Sequence, residues 1–246
     1  MKIARMPDGS PEIFHTLQGE GRNTGTPSVF IRSSLCNLSC YWCDTPYTWN
    51  WEDSDYEHES PEKFRREEEI LSLSPLEVAE TAAAFGCPNF VFTGGEPLLQ
   101  EKAWLEVMDR LATAFENAYF EIETNGTIAP SSEFLDRIHQ VNVSPKLANS
   151  GVLETKRINT EVLASLAASG KADFKFVVEQ PENLEEIETL QALSQIPKSR
   201  VFLMPAASSL DTLEENQGWV SRIALKQGYH YSDRLHLRLY GAKRGV

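Results

Sequence analysis

The feature that most constrains the fold of this chain is a sixfold alternation of short β-rich runs and amphipathic helical segments. A repeated strand–helix order predicts parallel pairing with right-handed crossovers. Eight such units close a full barrel, so six predict an α/β fold with an incomplete (β/α)6-type parallel barrel. No strong boundary divides the chain, so we expect a single domain spanning 1–246. The predicted strands are 27–32, 89–93, 119–124, 140–144, 173–178 and 200–205, and the predicted helices are 74–86, 101–117, 131–139, 160–169, 182–195 and 211–228.

An acidic segment separates the first strand from its helix. Residues 52–69 contain nine acidic and three basic side chains, and so carry −6 of the net charge of −13. The segment is polar and interrupts the pattern around it, so we interpret 49–70 as a solvated, exposed insertion rather than a binding tail. The helical pattern resumes at Ser74, which can form a capping box with Glu77.

Composition argues against several classes of function. A net charge of −13 is a poor match for nucleic acid or a membrane surface, because both require clustered lysine and arginine. No apolar run approaches the roughly 18 residues of a membrane span, and "MKIARMPDGS" lacks the apolar core of a signal peptide. We therefore expect a cytoplasmic protein, in which clustered thiols bind metal or perform redox chemistry instead of forming disulfides.

The motifs that can carry chemistry all follow predicted strands. "CNLSCYWCDT" comes after the first strand, "TGGEP" after the second, "TNGT" after the third, "SPK" after the fourth and "MPAA" after the sixth. In parallel α/β folds the loops at the carboxyl ends of the strands build the active site. Five such loops at one rim therefore predict a single site.

Three of the four cysteines, Cys36, Cys40 and Cys43, lie within eight positions, and this spacing has three interpretations. A structural zinc site would need a fourth ligand, which Cys87 or His58 could supply. A simple electron carrier would normally hold its [4Fe–4S] cluster with four thiolates. The third interpretation is a [4Fe–4S] cluster with one iron open to a substrate or cofactor. Cys87 itself is predicted to be a buried packing residue.

Cys-x3-Cys-x2-Cys with an aromatic residue before the last cysteine, together with "GGEP" after the second strand, resembles the signature of radical S-adenosylmethionine (radical SAM) enzymes. Their partial (β/α)6 barrel matches the six units counted above. The longer stretches "IFHTLQGEGRNTGTPSVFIRSSLCNLSCYWCDT", "FTGGEPLL", "ETNGT", "VSPK" and "LHLRLYGAKRGV" are similar to 7-carboxy-7-deazaguanine synthases. This resemblance covers most of the chain and is weakest over 49–70.

The resemblance implies that Cys36, Cys40 and Cys43 bind three irons of a [4Fe–4S] cluster and that S-adenosylmethionine chelates the fourth. One electron then cleaves the sulfonium C–S bond to give a 5′-deoxyadenosyl radical. The paired glycines of "GGEP" would let the backbone approach the methionine moiety, "SPK" would face the ribose or carboxylate, and "MPAA" would contact the adenine. The implied cofactor-binding residues are Trp42, Gly94, Gly95, Glu96, Glu123, Asn125, Ser144, Pro145, Lys146, Met204, Pro205, Ala206 and Ala207.

The resemblance also implies a substrate, 6-carboxy-5,6,7,8-tetrahydropterin. Gln18 would pair with the pterin edge, Glu20 would accept from its N–H groups, and Arg32 would bind its carboxylate through two hydrogen bonds. Thr45 would help to hold a Mg²⁺ that bridges to the substrate. The implied substrate-contacting residues are Leu17, Gln18, Gly19, Glu20, Arg32, Thr93, His236 and Val246, the last through its terminal carboxylate.

The reaction implied by the resemblance begins with hydrogen abstraction from C6 of the pterin. Ring contraction and loss of ammonia then give 7-carboxy-7-deazaguanine, in the 7-deazapurine (queuosine) pathway. Flavodoxin or ferredoxin as electron donor and a homodimer are implied as well.

Two other functions are compatible with the cysteine spacing alone. A glycyl-radical activase usually carries an additional ferredoxin-like cysteine set, which is absent here, and a non-catalytic zinc-binding module leaves "GGEP" and "LQGEG" unexplained.

Overall fold

A computed structural model describes all of residues 1–246. Ten strands form one sheet: β1 (Lys2–Ala4), β2 (Ile13–Leu17), β3 (Pro27–Ser33), β4 (Ile70–Ser72), β5 (Asn89–Gly94), β6 (Tyr119–Thr124), β7 (Gln140–Val143), β8 (Ala172–Val178), β9 (Val201–Pro205) and β10 (His230–Tyr231). The α-helices are α1 (Arg66–Glu69), α2 (Pro75–Ala83), α3 (Glu101–Ala114), α4 (Ser132–Arg137), α5 (Glu154–Arg157), α6 (Thr160–Ala168), α7 (Asn183–Leu193), α8 (Leu210–Gln227) and α9 (Leu235–Tyr240). Short 3₁₀ helices lie at Pro46–Thr48, Pro97–Gln100, Ala148–Ser150 and Lys198–Arg200.

The predicted incomplete parallel barrel is confirmed. Strands β3, β5, β6, β7, β8 and β9 lie side by side in chain order and pair in parallel. β10 extends the sheet beyond β9, and the antiparallel strands β1, β2 and β4 extend it beyond β3. The barrel stays open because β10 and β4 are the two ends of the sheet.

The two faces of the sheet differ in polarity. On β5, the buried Phe90 and Phe92 alternate with Val91 and Thr93, and Phe92 stacks on Trp104 of α3 at a centroid distance of 4.5 Å. A cluster of 37 buried residues fills the space between this outer face and the helices. The inner face of the central strands instead carries buried polar and charged side chains. Period-two alternation thus separates a packed core from a polar interior.

The elements that the sequence left unassigned are short and lie mostly at the edges. β1, β4 and β10 contain two or three residues each, too few to show an alternating pattern.

The helix cap predicted at the start of α2 is present: Ser74 Oγ accepts from Glu77 N at 3.2 Å, and Glu77 Oε2 accepts from Ser74 N at 2.8 Å. No helix of this fold combines the length and apolarity needed to cross a bilayer.

Most of the acidic insertion is exposed, as expected, but its chain is tied down at both ends. Trp49 and Trp51 are buried, and the Arg66 guanidinium lies 5.4 Å from the Trp51 ring centroid. Lys63 Nζ donates to Asn50 Oδ1 at 2.7 Å and to two carbonyls within the insertion. Glu59 N donates to Tyr41 O at 2.9 Å, so the insertion folds back onto the loop that carries the cysteines.

Candidate active site

The three clustered cysteines lie on one loop that follows β3 at the carboxyl end of the parallel strands. All are free thiols, and Cys40 is only 6% exposed. Burial raises the pKa of Cys36 and of Cys43, and it raises the pKa of Cys40 to about 11 although the Lys146 ammonium opposes this shift. Three free thiols on one loop, with Cys40 buried and the other two half-buried, are a donor set that suits an iron–sulfur cluster.

The geometry disagrees with a structural zinc site. No three His, Cys, Asp or Glu side chains converge on a position for a single metal ion. Cys87 Sγ donates to Pro27 O at 3.3 Å, at the start of β3 and thus at the opposite end of that strand from Cys36. His58 Nε2 lies 2.8 Å from the carbonyl oxygen of Cys43, so it holds the backbone of the loop. Neither residue can complete a tetrahedral site.

The glycines of "GGEP" let two loops approach closely. Gly94 has φ +126°, and a Cβ there would lie 1.9 Å from Ser33 O; at Gly95 a Cβ would lie 2.0 Å from Leu35 O. Gly95 N donates to Ser33 O at 3.1 Å, and Glu96 N donates to Leu35 O at 2.8 Å. The close approach observed here is to the backbone that leads into Cys36, so this motif sets the course of the cysteine loop.

We expect Gly95→Ala to destabilise the fold by at least about 3 kcal/mol, because its methyl group would overlap the Leu35 carbonyl group. Thermal and urea unfolding would measure the loss. Gly218→Ala is the matched control, since this glycine lies inside α8 with only a flexible arginine tip at 3.6 Å. That substitution should be neutral or stabilising by up to about 1 kcal/mol. Equal effects at both positions would contradict the role assigned to Gly95.

Glu96 joins "GGEP" to the loop after β6. Its side chain is fully buried, and its carboxylate accepts from Thr124 Oγ1 at 2.8 Å and from the backbone N of Asn125 and Leu98 at 2.8 and 3.0 Å. Asn125 Nδ2 in turn donates to Asn37 Oδ1 at 2.9 Å, within the cysteine loop. These contacts place Glu96 beneath the rim, where it supports the loops; its contact with a cofactor remains a prediction.

The loops after β7 and β9 lie at the same rim. Lys146 Nζ donates to Ser144 Oγ at 2.9 Å and lies 5.4 Å from the Trp42 ring centroid. Trp42 Nε1 donates to Asn149 O at 2.9 Å, which links the cysteine loop to the segment after β7. The remaining predicted residues of these loops are the buried Pro145, Met204 and Pro205 and the half-buried Ala206 and Ala207.

The loop between β2 and β3, which contains "LQGEG", reaches across the interior of the open barrel. The Gln18 side-chain amide donates to the Glu121 carboxylate of β6. Glu20 Oε2 accepts from Lys175 Nζ of β8 at 2.5 Å, and the same ammonium donates to Glu123 Oε2 at 3.0 Å. Two of the predicted residues, Glu20 and Glu123, therefore meet at a lysine that sequence reasoning did not identify, and Gln18 Nε2 lies 3.4 Å from Glu123 Oε1.

Glu20 is held between two cations. Arg234 Nε donates to Glu20 Oε1 at 3.2 Å, and its Nη2 donates to Asp44 Oδ2 at 2.7 Å. Burial by itself would raise the pKa of the Glu20 carboxyl, but Lys175 and Arg234, with a smaller contribution from His236, hold that pKa well below its ordinary value. His236 Nδ1 lies 4.0 Å from Glu20 Oε1. Glu20 is thus a fixed, ionised hydrogen-bond acceptor.

Lys175 and Arg234 differ in how visible they are in the sequence. In "DFKFVV" the charged Asp173 and Lys175 alternate with phenylalanines, and a charge inside a buried strand must be paired or face a site. That signal could have identified Lys175. Arg234 shows no such pattern, because its position depends on docking of the C-terminal segment, where Leu235 N donates to Gly19 O at 2.9 Å.

Arg32 lies on the inner face of β3, in register with Thr93 of β5. Its Nε donates to Glu12 Oε1 at 2.7 Å, while its two Nη atoms form no hydrogen bond with the protein. That pair of free donors has the geometry a carboxylate requires. Thr45, predicted to hold Mg²⁺, is nearly buried, with its Oγ1 3.6 Å from Cys43 Sγ.

Contacts connect only some of the other predicted substrate residues to this interior. A Cβ on Gly19 would lie 2.6 Å from His236 Nδ1, so these two residues touch. Leu17 pairs with Pro27 at the start of β3. The terminal carboxylate of Val246 forms no hydrogen bond or ion pair, so its contact with substrate stays a prediction.

Comparison with known proteins agrees with this arrangement. The model of the radical SAM superfamily matches residues 30–190. A 7-carboxy-7-deazaguanine synthase from Rhodopirellula baltica is 34% identical over 248 residues, covering 96% of this chain and 87% of the relative. One from Pyrobaculum aerophilum is 37% identical over 236 residues, covering 95% of each chain. The chain belongs to the 7-carboxy-7-deazaguanine synthase family.

Membership in this radical SAM family confirms the resemblance and, with it, the predicted [4Fe–4S] cluster and S-adenosylmethionine. The crystal structure of QueE from Escherichia coli has the same fold, with a TM-score of 0.66 at 24% identity, covering 96% of this chain and 95% of that one. The superfamily match extends from β3 into α7, so it includes the cysteine loop and "GGEP". The "LQGEG" loop and the segment that carries Arg234 and His236 lie outside it.

Proposed function

We propose that this protein converts 6-carboxy-5,6,7,8-tetrahydropterin to 7-carboxy-7-deazaguanine with loss of ammonia, for 7-deazapurine biosynthesis. The observation that carries the proposal is a pair of oppositely charged groups inside the open barrel, each able to bind part of a ligand. Arg32 presents two unbonded Nη donors, and Glu20 presents a carboxylate kept ionised by two cations. Such a pair suits a substrate that carries one carboxylate and a ring rich in N–H groups.

The residues of the cysteine loop fit the cofactors of the family. Cys36, Cys40 and Cys43 would bind the cluster as thiolates, while Lys146 and the buried end of β9 would flank S-adenosylmethionine. When bound, these cofactors supply the radical that abstracts a hydrogen atom from the substrate. Thr45, beside Cys43, would provide a hydroxyl oxygen to Mg²⁺, a hard cation that prefers oxygen ligands.

The protein's own groups would bind and orient the pterin. Arg32 would hold its carboxylate, Gln18 would pair with its ring edge, and Glu20 would accept from ring N–H groups. The contacts of Gln18 with Glu121 and of Glu20 with Lys175 fix both side chains before substrate arrives. A rigid arrangement of this kind directs a reactive intermediate along one course, because the reacting atoms are already placed.

Three broader features are part of the same proposal. A flavodoxin or ferredoxin would donate the electron, the enzyme would be a homodimer in the cytoplasm, and residues 1–246 would form one radical SAM domain. One continuous ten-stranded sheet and one core cluster support the single domain. The activase alternative finds no support, because the only cysteine beyond the loop, Cys87, is bonded at the far end of β3.

Anaerobic turnover tests this function. The reconstituted, reduced enzyme with S-adenosylmethionine and 6-carboxytetrahydropterin should form 5′-deoxyadenosine and 7-carboxy-7-deazaguanine, detected by mass spectrometry. Arg32→Gln should lower deazaguanine formation by about 100-fold, the scale expected when a buried charge-assisted pair is lost. Deoxyadenosine without deazaguanine would retain the radical chemistry and reject the substrate. Neither product from a fully loaded enzyme would reject both.

A further inference from the structure

Arg244, the central residue of the stretch "AKRGV" at 242–246, shares a buried carboxylate with Arg32. Glu12 is fully buried, and its Oε1 accepts from Arg32 Nε at 2.7 Å and from Tyr47 Oη at 3.0 Å. Its Oε2 accepts from Arg244 Nε at 2.9 Å. One carboxylate therefore binds two guanidinium groups, each through a different oxygen.

The Arg244 guanidinium is held on several sides. Its Nη1 donates to Glu69 Oε2 at 3.0 Å and its Nη2 donates to Arg5 O at 2.5 Å. Its Cζ lies 3.5 Å from the centroid of the Tyr47 ring, a cation–π contact. Three different segments of the chain thus contact the Arg244 guanidinium, so the fold fixes its position.

The two arginines limit what Glu12 can do. A carboxylate with both oxygens free tends to bind an arginine through two parallel hydrogen bonds, to Nε and one Nη. Because Arg244 occupies Oε2, Glu12 holds Arg32 by the single Nε–Oε1 bond. Both Nη atoms of Arg32 consequently remain free to bind a ligand. Without Arg244, the Glu12 carboxylate could rotate and accept a hydrogen bond from one of the Arg32 Nη atoms.

We propose that Arg244 is a positioning residue for recognition of the substrate's carboxylate, acting by holding Glu12 so that Arg32 keeps both Nη donors open. This inference rests on the proposed function, in which Arg32 binds the carboxylate of the tetrahydropterin. Selectivity for a carboxylated pterin would then depend on Arg244, a residue that does not contact the substrate.

The test compares two ligands that differ only in that carboxylate. Dissociation constants of the cluster- and S-adenosylmethionine-loaded enzyme are measured anaerobically for 6-carboxytetrahydropterin and for tetrahydropterin. Arg244→Gln should weaken binding of the carboxylated compound by about tenfold, the effect of one charge-assisted hydrogen bond. Its affinity for tetrahydropterin should change by less than about twofold, because no contact to the ring is altered. Lys243→Gln is the matched control, since Lys243 is exposed and unpaired, and should leave both constants unchanged.

Two further variants separate a positioning role from a structural one. In a Glu12→Gln background, where no carboxylate competes for Arg32, adding Arg244→Gln should leave the constant for the carboxylated compound unchanged. Arg244→Lys keeps the charge but loses the planar fork, so it should restore part of the selectivity, and it carries the test if Arg244→Gln does not fold. Equal weakening of both ligands, no weakening of either, or an effect that persists without Glu12 would overturn the inference. A wild-type enzyme that does not distinguish the two ligands would instead reject the proposed function.

Discussion

Replacing any one of Cys36, Cys40 and Cys43 with alanine should remove the iron–sulfur cluster and lower turnover on the order of 10³-fold or more. Each thiol is one of the three predicted ligands, all on a single loop, and no other cysteine is close enough to substitute. Iron and sulfide per chain, the visible absorption spectrum and deazaguanine formation would measure the loss.

Cys87→Ala is the matched control for these variants. It is also a buried cysteine, but its thiol is bonded to Pro27 O at the start of β3 and it packs in the core. The variant should bind iron like the wild type and lose only about 1 kcal/mol of stability. Loss of the cluster in Cys87→Ala, or a Cys40→Ala protein with full iron content, would contradict the assignment of the ligands.

Lys175→Met should be the most destabilising single substitution in the interior of the barrel, at about 3 kcal/mol or more at neutral pH. The Lys175 side chain is 6% exposed and its ammonium bridges Glu20 and Glu123, so its removal leaves two largely buried carboxylates without the cation that both contact. Urea unfolding measures the change. Lys226→Met on the exposed surface of α8 is the control and should change stability by less than about 0.5 kcal/mol.

The pH dependence of that loss follows from the pKa shifts. In the wild type, burial would lower the pKa of Lys175, but Glu123 and Glu20 raise it above its ordinary 10.5, and the pKa of Glu20 is held below its ordinary 4.5. The charged pair therefore stabilises the fold between these ordinary values, and Glu20's share is lost as pH falls through its lowered pKa. Burial already raises the pKa of the Glu123 carboxyl although Lys175 opposes this shift, so without the lysine that pKa should rise further, while Arg234 still opposes a rise at Glu20. The folded variant therefore takes up a proton at Glu123 more readily than the unfolded chain. The destabilisation should accordingly be largest above pH 7 and shrink toward pH 5. A loss that is constant from pH 5 to pH 8 would contradict this account.

Local patterns were sufficient to locate the main elements. The strand predicted at 119–124 coincides with β6, and the capping box predicted at Ser74 and Glu77 is formed. Both features depend on residues at most a few positions apart, so a sequence displays them directly. The edge strands were missed for the same reason, because elements of two or three residues are stabilised by their partners in the sheet and not by a pattern of their own.

The sequence by itself determined the six parallel strands, the loops at their carboxyl ends and the cysteine spacing that suits an iron–sulfur cluster. Only the tertiary structure decided which charges meet. Lys175 and Glu20 are 155 positions apart, and Arg244 and Glu12 are 232 apart. The first pair exists because the "LQGEG" loop crosses the barrel, and the second because the C-terminal segment packs beside the connection between β1 and β2. Contacts of this kind produce no periodic pattern in the sequence, since each depends on the position of whole segments and not on the order of neighbouring residues.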